Sequence, residues 1–275
     1  MSGIFGVVAK KNCNEDLFYG TDYHSHLGTQ FAGLAVFGKS LQRKIHDIRG
    51  SQFKTKFYED YKAMKGNMGI GVISARDEQP ILINSKLGPF AIVTNGYIDN
   101  ADFLAKRLFK EGKSFSEVTN GSVNFTELIA KMIIRGRDIV SGIEKMSDKI
   151  EGSCSLLLLN KDGIYAARDK LGITPLVIGR RAGDWAVTTE SSALLNLGYK
   201  VVKFLEPKEI VLLTKSGLKI KRKGLKTNRI CSFLWVYIGF PASYYSDVNV
   251  ESARERCGAC LAANDNVDAD MVAGI

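Results

Sequence analysis

Ser2 is the first residue whose type and position could do chemistry. A small residue after the initiator lets Met1 be removed, which leaves a free α-amine beside a hydroxyl. An amine next to its own side-chain hydroxyl can take that proton and so act as general base for the nucleophile. The residues that follow, Gly3-Ile4-Phe5-Gly6-Val7-Val8, read as a buried strand whose glycines allow close backbone approach. Such a strand places the amine and the Ser2 hydroxyl inside the fold, at the end of a sheet. Taken alone, the stretch reads first as an ordinary N-terminal strand after a start codon. Two other groups are weaker signals. Cys257-Gly258-Ala259-Cys260 is a lone CxxC on a helix with no partner pair, and His24, His26 and His46 are too scattered for a metal site. Core or surface roles are the expectation for all three histidines.

Composition narrows the classes. The 275 residues are 45% hydrophobic and 24% charged, as in a soluble globular protein of one large domain or two smaller ones. Charges and glycines interrupt every apolar run before the roughly 20 residues a membrane span needs. Neither a membrane partner nor a secretory signal is expected. The five cysteines are an odd count at irregular spacing, which suits reduced thiols and a cytoplasmic location. Net charge is +9, and seven basic residues fall between Lys215 and Arg229 with no aromatic side chain among them. That run reads as a solvated hairpin, and nucleic acid is not an expected partner.

The elements that must position Ser2 alternate short strands with helices. Expected strands are Gly3–Val8, Ala32–Phe37, Met68–Ile73, Phe90–Thr94, Cys154–Leu159, Gly163–Ala167, Pro175–Gly179, Trp185–Thr188 and Glu209–Leu213. The strand Phe90–Thr94 closes on Asn95-Gly96, the residue pair of a tight hairpin turn. Expected helices are Glu15–His26, Lys56–Met64, Ala101–Phe109, Thr126–Ile134, Ile139–Ile150, Ser192–Leu197 and Val250–Ala263. Strands and helices come in blocks, so antiparallel sheets covered by helices are expected, an α+β class, not a doubly wound parallel sheet.

Several motifs recur together in a fixed order. They are Gly3-Ile4-Phe5-Gly6, Tyr19-Gly20 through His26-Leu27-Gly28, Thr94-Asn95-Gly96, Asn124-Phe125-Thr126-Glu127, Arg168-Asp169-Lys170-Leu171-Gly172-Ile173-Thr174-Pro175-Leu176 and Thr189-Glu190-Ser191. In this order the chain resembles class II glutamine amidotransferases. Within them it is most similar to the amidophosphoribosyltransferases, to which Glu206-Pro207-Lys208-Glu209 and the stretch from Arg229-Ile230-Cys231 to Pro241-Ala242-Ser243 also fit. The resemblance implies a four-layer αββα sandwich of two antiparallel sheets, of the N-terminal-nucleophile hydrolase type, with the nucleophile at the start of the first strand. That turns the reading of the N-terminus from bland to catalytic. It also implies the family reaction, in which ammonia from glutamine is transferred to phosphoribosyl pyrophosphate to open purine synthesis. Residues 1–229 correspond to the amidotransferase domain, and 230–275 to a connecting segment and the first helix and strand of a phosphoribosyltransferase domain. Met271 to Ile275 is expected to begin that strand, so the chain reads as a truncated piece.

Position by position, the resemblance assigns the nucleophile to Ser2, where the family has cysteine, and the oxyanion hole to the Asn95 amide and the Gly96 N–H. A thiol is roughly a few per cent thiolate at neutral pH, whereas a serine hydroxyl depends on its base. The family's substrate clamp departs further. Its carboxylate-binding arginine falls on Ser74 and its amine-binding aspartate on Phe125, with Arg76 and Asn124 the nearest stand-ins. Departures at positions 2, 74 and 125 imply a degenerate glutamine site, with glutamine or a related amide a weak substrate. The alternative is a non-catalytic binding or regulatory domain that keeps the fold. No cofactor is expected in this chain. Magnesium belongs to full-length relatives, as does an iron–sulfur cluster in some, with a cysteine at the position of Cys231. The phosphoribosyltransferase domain of the same protein and further copies of the chain are the expected partners.

Overall fold

The computed structural model describes residues 1–119 and 122–274. In chain order the first half comprises β1 (Gly3–Val8), α1 (Asn14–Asp22), β2 (Phe31–Phe37), β3 (Leu41–Asp47), α2 (Phe53–Ala63), β4 (Met68–Ser74), β5 (Ile81–Ser85), β6 (Gly88–Ile98), α3 (Ala101–Lys110), the short pair β7 (Val118–Thr119) and β8 (Ser122–Val123), α4 (Phe125–Ile134) and α5 (Ile139–Lys149). The second half comprises β9 (Gly152–Asn160), β10 (Gly163–Ala167), β11 (Val177–Arg181), β12 (Asp184–Thr188), α6 (Ser191–Asn196), β13 (Lys200–Phe204), β14 (Ile210–Thr214), β15 (Gly217–Arg222), β16 (Tyr244–Tyr245), β17 (Val248–Asn249) and α7 (Val250–Ala262).

Two sheets carry the fold. One has the order β13-β11-β12-β1-β4-β2-β3 and the other β15-β14-β10-β9-β6-β5. Within each sheet, neighbouring strands pair antiparallel, with β1 between β12 and β4 and β9 between β6 and β10. Because side chains alternate along a strand, each of these central strands feeds two cores. Ile4 and Val8 of β1 meet Leu157 and Leu159 of β9 between the sheets. Phe5 and Val7 turn the other way, toward Leu17 and Phe18 of α1 and Phe53 and Phe57 of α2. On the far side, Leu156 and Leu158 pack under α3, α4 and α5 through Leu104, Leu128, Ile133 and Met146. The result is helix, sheet, sheet, helix, the α+β sandwich expected from the sequence. Strands buried on both faces read as continuous apolar runs, which is why β1 and β9 are plain in the sequence. The β14–β15 hairpin carries the start of the basic run.

Of the elements that differ from expectation, three have a direct physical cause. Helix α1 stops at Asp22, not His26, because His24 folds inward, its Nδ1 lying 2.8 Å from the Gly20 carbonyl. Strand β6 runs through Asn95 and Gly96 to Ile98, so no hairpin turn forms there; β9 supplies a pairing partner for each of these residues. The strand expected at Met271–Ile275 is absent from residues 271–274, where Met271 and Val272 are 84% and 90% exposed. A strand forms only against a neighbour that takes its backbone hydrogen bonds, and none of the sheets reaches it. Ile275 lies outside the described residues.

Candidate active site

The start of β1 is pinned from the residue that follows β12. Ile4 N–H donates to Thr189 Oγ1 at 3.1 Å, and Thr189 N–H donates to the Ile4 carbonyl at 3.0 Å. Gly3 is required by close approach, since a Cβ there would lie 2.4 Å from the Cβ of His24. His24 is wholly buried, with Nδ1 donating to Gly20 O and Nε2 accepting from Thr188 Oγ1 at 2.8 Å and the Glu190 N–H at 3.4 Å. Burial outweighs the nearby Glu190 charge and lowers its pKa to about 4, so the ring is neutral near pH 7 and fixes the turn behind Ser2.

Ser2 and Asn95 come together. The Ser2 nitrogen donates to Asn95 Oδ1 at 3.1 Å, and the Ala75 N–H donates to Ser2 Oγ at 3.2 Å. Asn95 is 1% exposed, and its Nδ2 is buried without a partner among the described residues. An unpaired buried donor costs about 1–3 kcal/mol. On the residue that already touches the nucleophile, such a donor can serve a developing oxyanion. Gly96 is the next residue of β6, opposite Cys154. A Cβ at Gly96 would lie 2.0 Å from the Ser153 carbonyl, so only glycine fits. Ser2 and Asn95 therefore meet where β1 and β6, strands of different sheets, converge, and Gly96 follows in β6.

The positions that the resemblance assigns to the substrate clamp are built as follows. Ser74, at the end of β4, is wholly buried, and its Oγ accepts from Arg76 N (3.4 Å), Asp77 N (3.1 Å) and Gln79 Nε2 (3.3 Å). Gln79 in turn clips the loop to β6 through Thr94, accepting its N–H at 2.8 Å. Arg76 stays half-exposed, with its guanidinium 3.9 Å from the centre of the Phe125 ring. Asn124 is wholly buried and caps α4: its Oδ1 accepts from Glu127 N at 3.1 Å, and its Nδ2 donates to Glu78 O at 2.8 Å. That places Asn124 in the scaffold and not on a substrate-facing surface. Asp77, which the sequence reading passed over, is 6% exposed and accepts from Phe125 N at 3.0 Å. Burial pushes the Asp77 carboxyl above its ordinary pKa despite that bond.

A second buried carboxylate ties the C-terminal segment to this end of the sandwich. Glu190 is wholly buried and accepts from His26 Nε2 (3.0 Å), Ser243 Oγ (2.6 Å), Tyr245 OH (2.9 Å) and the Phe240 N–H (3.2 Å). Burial alone would raise its pKa; the bonds from His26 and Ser243 outweigh it and hold the carboxylate below the ordinary glutamate value. Met1, His26 and Leu27 thereby face residues 237–241 across an open cleft of about 490 Å³. Glu190 stood in a recurring motif, but nothing local marks a residue whose partners lie about fifty and one hundred and sixty positions away.

Cys231 packs half-buried against Leu234, Tyr245 and Val250, and among the described residues no three His, Cys, Asp or Glu side chains converge as metal ligands.

The comparisons with known proteins bear on the fold and the family. The model of the glutamine amidotransferase domain matches residues 67–196. The chain is 27% identical to amidophosphoribosyltransferase of Archaeoglobus fulgidus, over 91% of this chain and 56% of that one. It is 29% identical to amidophosphoribosyltransferase of Methanocaldococcus jannaschii, over 100% of this chain and 64% of that one. A solved structure of the allosteric regulatory enzyme of purine biosynthesis superposes with a TM-score of 0.89 at 26% identity, covering 98% of this chain and 59% of that one. Glutamine phosphoribosylpyrophosphate amidotransferase from Bacillus subtilis, complexed with ADP and GMP, gives 0.88, again at 26% identity over 98% and 59%. The chain thus spans between 56% and 64% of the length of these relatives. The fold and these matches support a class II glutamine amidotransferase domain. It is like the glutaminase domain of the amidophosphoribosyltransferases.

Proposed function

We propose that the chain is the glutaminase-type half of an amidophosphoribosyltransferase-like cytoplasmic protein, and that its glutamine site is degenerate. In the family reaction, ammonia released from glutamine passes to phosphoribosyl pyrophosphate on a second domain of the same protein. The observation that carries the degenerate site is Ser74. Where substrate carboxylate should meet a guanidinium, a buried hydroxyl is already bonded to Arg76, Asp77 and Gln79. At the amine end stands a phenyl ring stacked under Arg76. Two charge-assisted hydrogen bonds to the carboxylate are thereby lost, about 3 kcal/mol or roughly a hundredfold in affinity. The nucleophile end keeps its parts. With Met1 removed, the Ser2 amine stays within reach of Asn95 Oδ1, Ala75 N–H orients the hydroxyl, and Asn95 Nδ2 is free to stabilise an oxyanion. What fails is holding an amino-acid amide in attack geometry.

The test is glutamate release by the purified chain, with Met1 removal verified by mass spectrometry. Turnover at background level is expected, and Ser2→Cys alone does not restore it. Ser74→Arg with Phe125→Asp helps only in combination with Ser2→Cys, because groups that act as a unit are strongly non-additive. Ready turnover by the parent protein would overturn the proposal and point to Arg76 as a relocated carboxylate clamp.

A further inference from the structure

A cleft of about 620 Å³ lies on the helix-covered side of the second sheet, in the size range of small-molecule sites. Its apolar floor is made by Ile143 and Met146 of α5, Cys154 of β9, Ala167 of β10 and Ile210 of β14. Five cations line it: Arg137, Lys145, Arg168, Lys208 and Arg222. The carboxylates in its wall are already engaged, Glu144 with Arg222 at 2.8 Å and Asp148 with Lys208 at 2.7 Å. Arg137 and Lys145 are exposed and meet no carboxylate among the described residues.

Arg168 is the unusual member. It is 5% exposed, and its guanidinium donates to neutral acceptors: the carbonyls of Leu205 (2.5 Å) and Gly172 (2.6 Å) and the Asn228 amide oxygen (3.2 Å). Its Nε is buried with no partner among the described residues. Asp169 and Glu209 offset part of the Arg168 charge, so the excess positive charge of the cleft comes chiefly from Arg137 and Lys145, which face no carboxylate partner in its wall. An apolar floor beneath an unbalanced basic wall suits a ligand with a compact hydrophobic body and an anionic end.

We propose that this cleft binds an organic phosphate, with its ring on the Ile143–Met146–Cys154 floor and its phosphate toward Arg137, Lys145 and Arg168. The site is independent of the glutamine chemistry at Ser2, and its test reads binding and not turnover.

The probe is 1-naphthyl phosphate, titrated by calorimetry against the full chain, with inorganic phosphate and 1-naphthol as its separate halves. The whole probe should bind at least tenfold tighter than either half and weaken as salt rises. Arg137→Ala with Lys145→Ala should weaken it tenfold or more; both side chains are exposed, so the variant folds, as an unchanged thermal melt verifies. Lys62→Ala with Lys65→Ala serves as control, in the solvent-open cleft that also gathers Lys10, Lys11, Lys161 and Lys215, and should leave affinity unchanged. Absence of binding, affinity indifferent to the Arg137/Lys145 pair, or an equal loss in the control would each overturn the proposal.

Discussion

Replacing Glu190 should release the C-terminal segment from the sandwich. The carboxylate gathers donors from His26, Phe240, Ser243 and Tyr245 in a site with no exposure to water. A hydrogen bond to a charged group contributes about 1.5–3 kcal/mol, and a buried donor left without an acceptor costs about 1–3 kcal/mol. In Glu190→Gln one oxygen becomes an amino group. The Ser243 hydroxyl can turn to accept from it; the Phe240 N–H, which reaches both oxygens at 3.2 and 3.3 Å, keeps one neutral acceptor. One or two charged bonds are lost, so destabilisation should be about 2–4 kcal/mol, and larger for Glu190→Ala. His26 is a third exposed, so solvent screens its ion pair, and His26→Ala should cost only about 1 kcal/mol or less. The sign with pH follows from the depressed pKa: the contribution is fully present above the ordinary glutamate value of 4.5 and is lost as pH falls through the lower folded value. Urea unfolding of parent and variants at pH 7 measures the magnitude, and limited proteolysis locates it, with new cleavage expected between residues 229 and 245. A Glu190→Gln variant within 0.5 kcal/mol of the parent, or one cleaved first elsewhere, would falsify the assignment of Glu190 as the tie.

Other outcomes follow from buried groups. Burial raises the Asp77 pKa, so the native state loses stability as pH climbs from the ordinary value of 3.8 through the raised one; Asp77→Asn keeps an acceptor for Phe125 N–H and should raise the urea midpoint at pH 7 but not at pH 3. His24, lowered from 6.5 to about 4, withdraws on the order of 3 kcal/mol as pH falls between those values, and His24→Asn should flatten that part of the stability profile. Leu157→Ala opens a cavity between the two sheets at a residue with no exposure, and should cost about 2–5 kcal/mol by chemical denaturation.

What the sequence disclosed, and what it withheld, divides along physical lines. Strands β1 and β9 are buried on both faces, so their apolar runs stand out against any background. Strands β3 and β13, with patterns such as Leu41-Gln42-Arg43-Lys44, lie at sheet edges and carry as many charges as a loop, so apolar periodicity does not mark them. At Asn95-Gly96 a strong local turn preference lost to cross-strand pairing with β9, which only the assembled sheet supplies. The same division runs through the site. Ser2 and Asn95 are held by strand ends that the core fixes, so their meeting follows from the fold almost whatever the surrounding loops contain. The clamp has no such support. It depends on residues 74–79 and on the start of α4, where Ser74, Asp77, Gln79 and Asn124 now satisfy one another and the adjoining backbone. Substitutions there can stabilise the loop while removing its charges toward substrate, and the sandwich stays intact. A site of this construction can lose substrate binding before it loses its nucleophile geometry, because only the nucleophile end is fixed by the core.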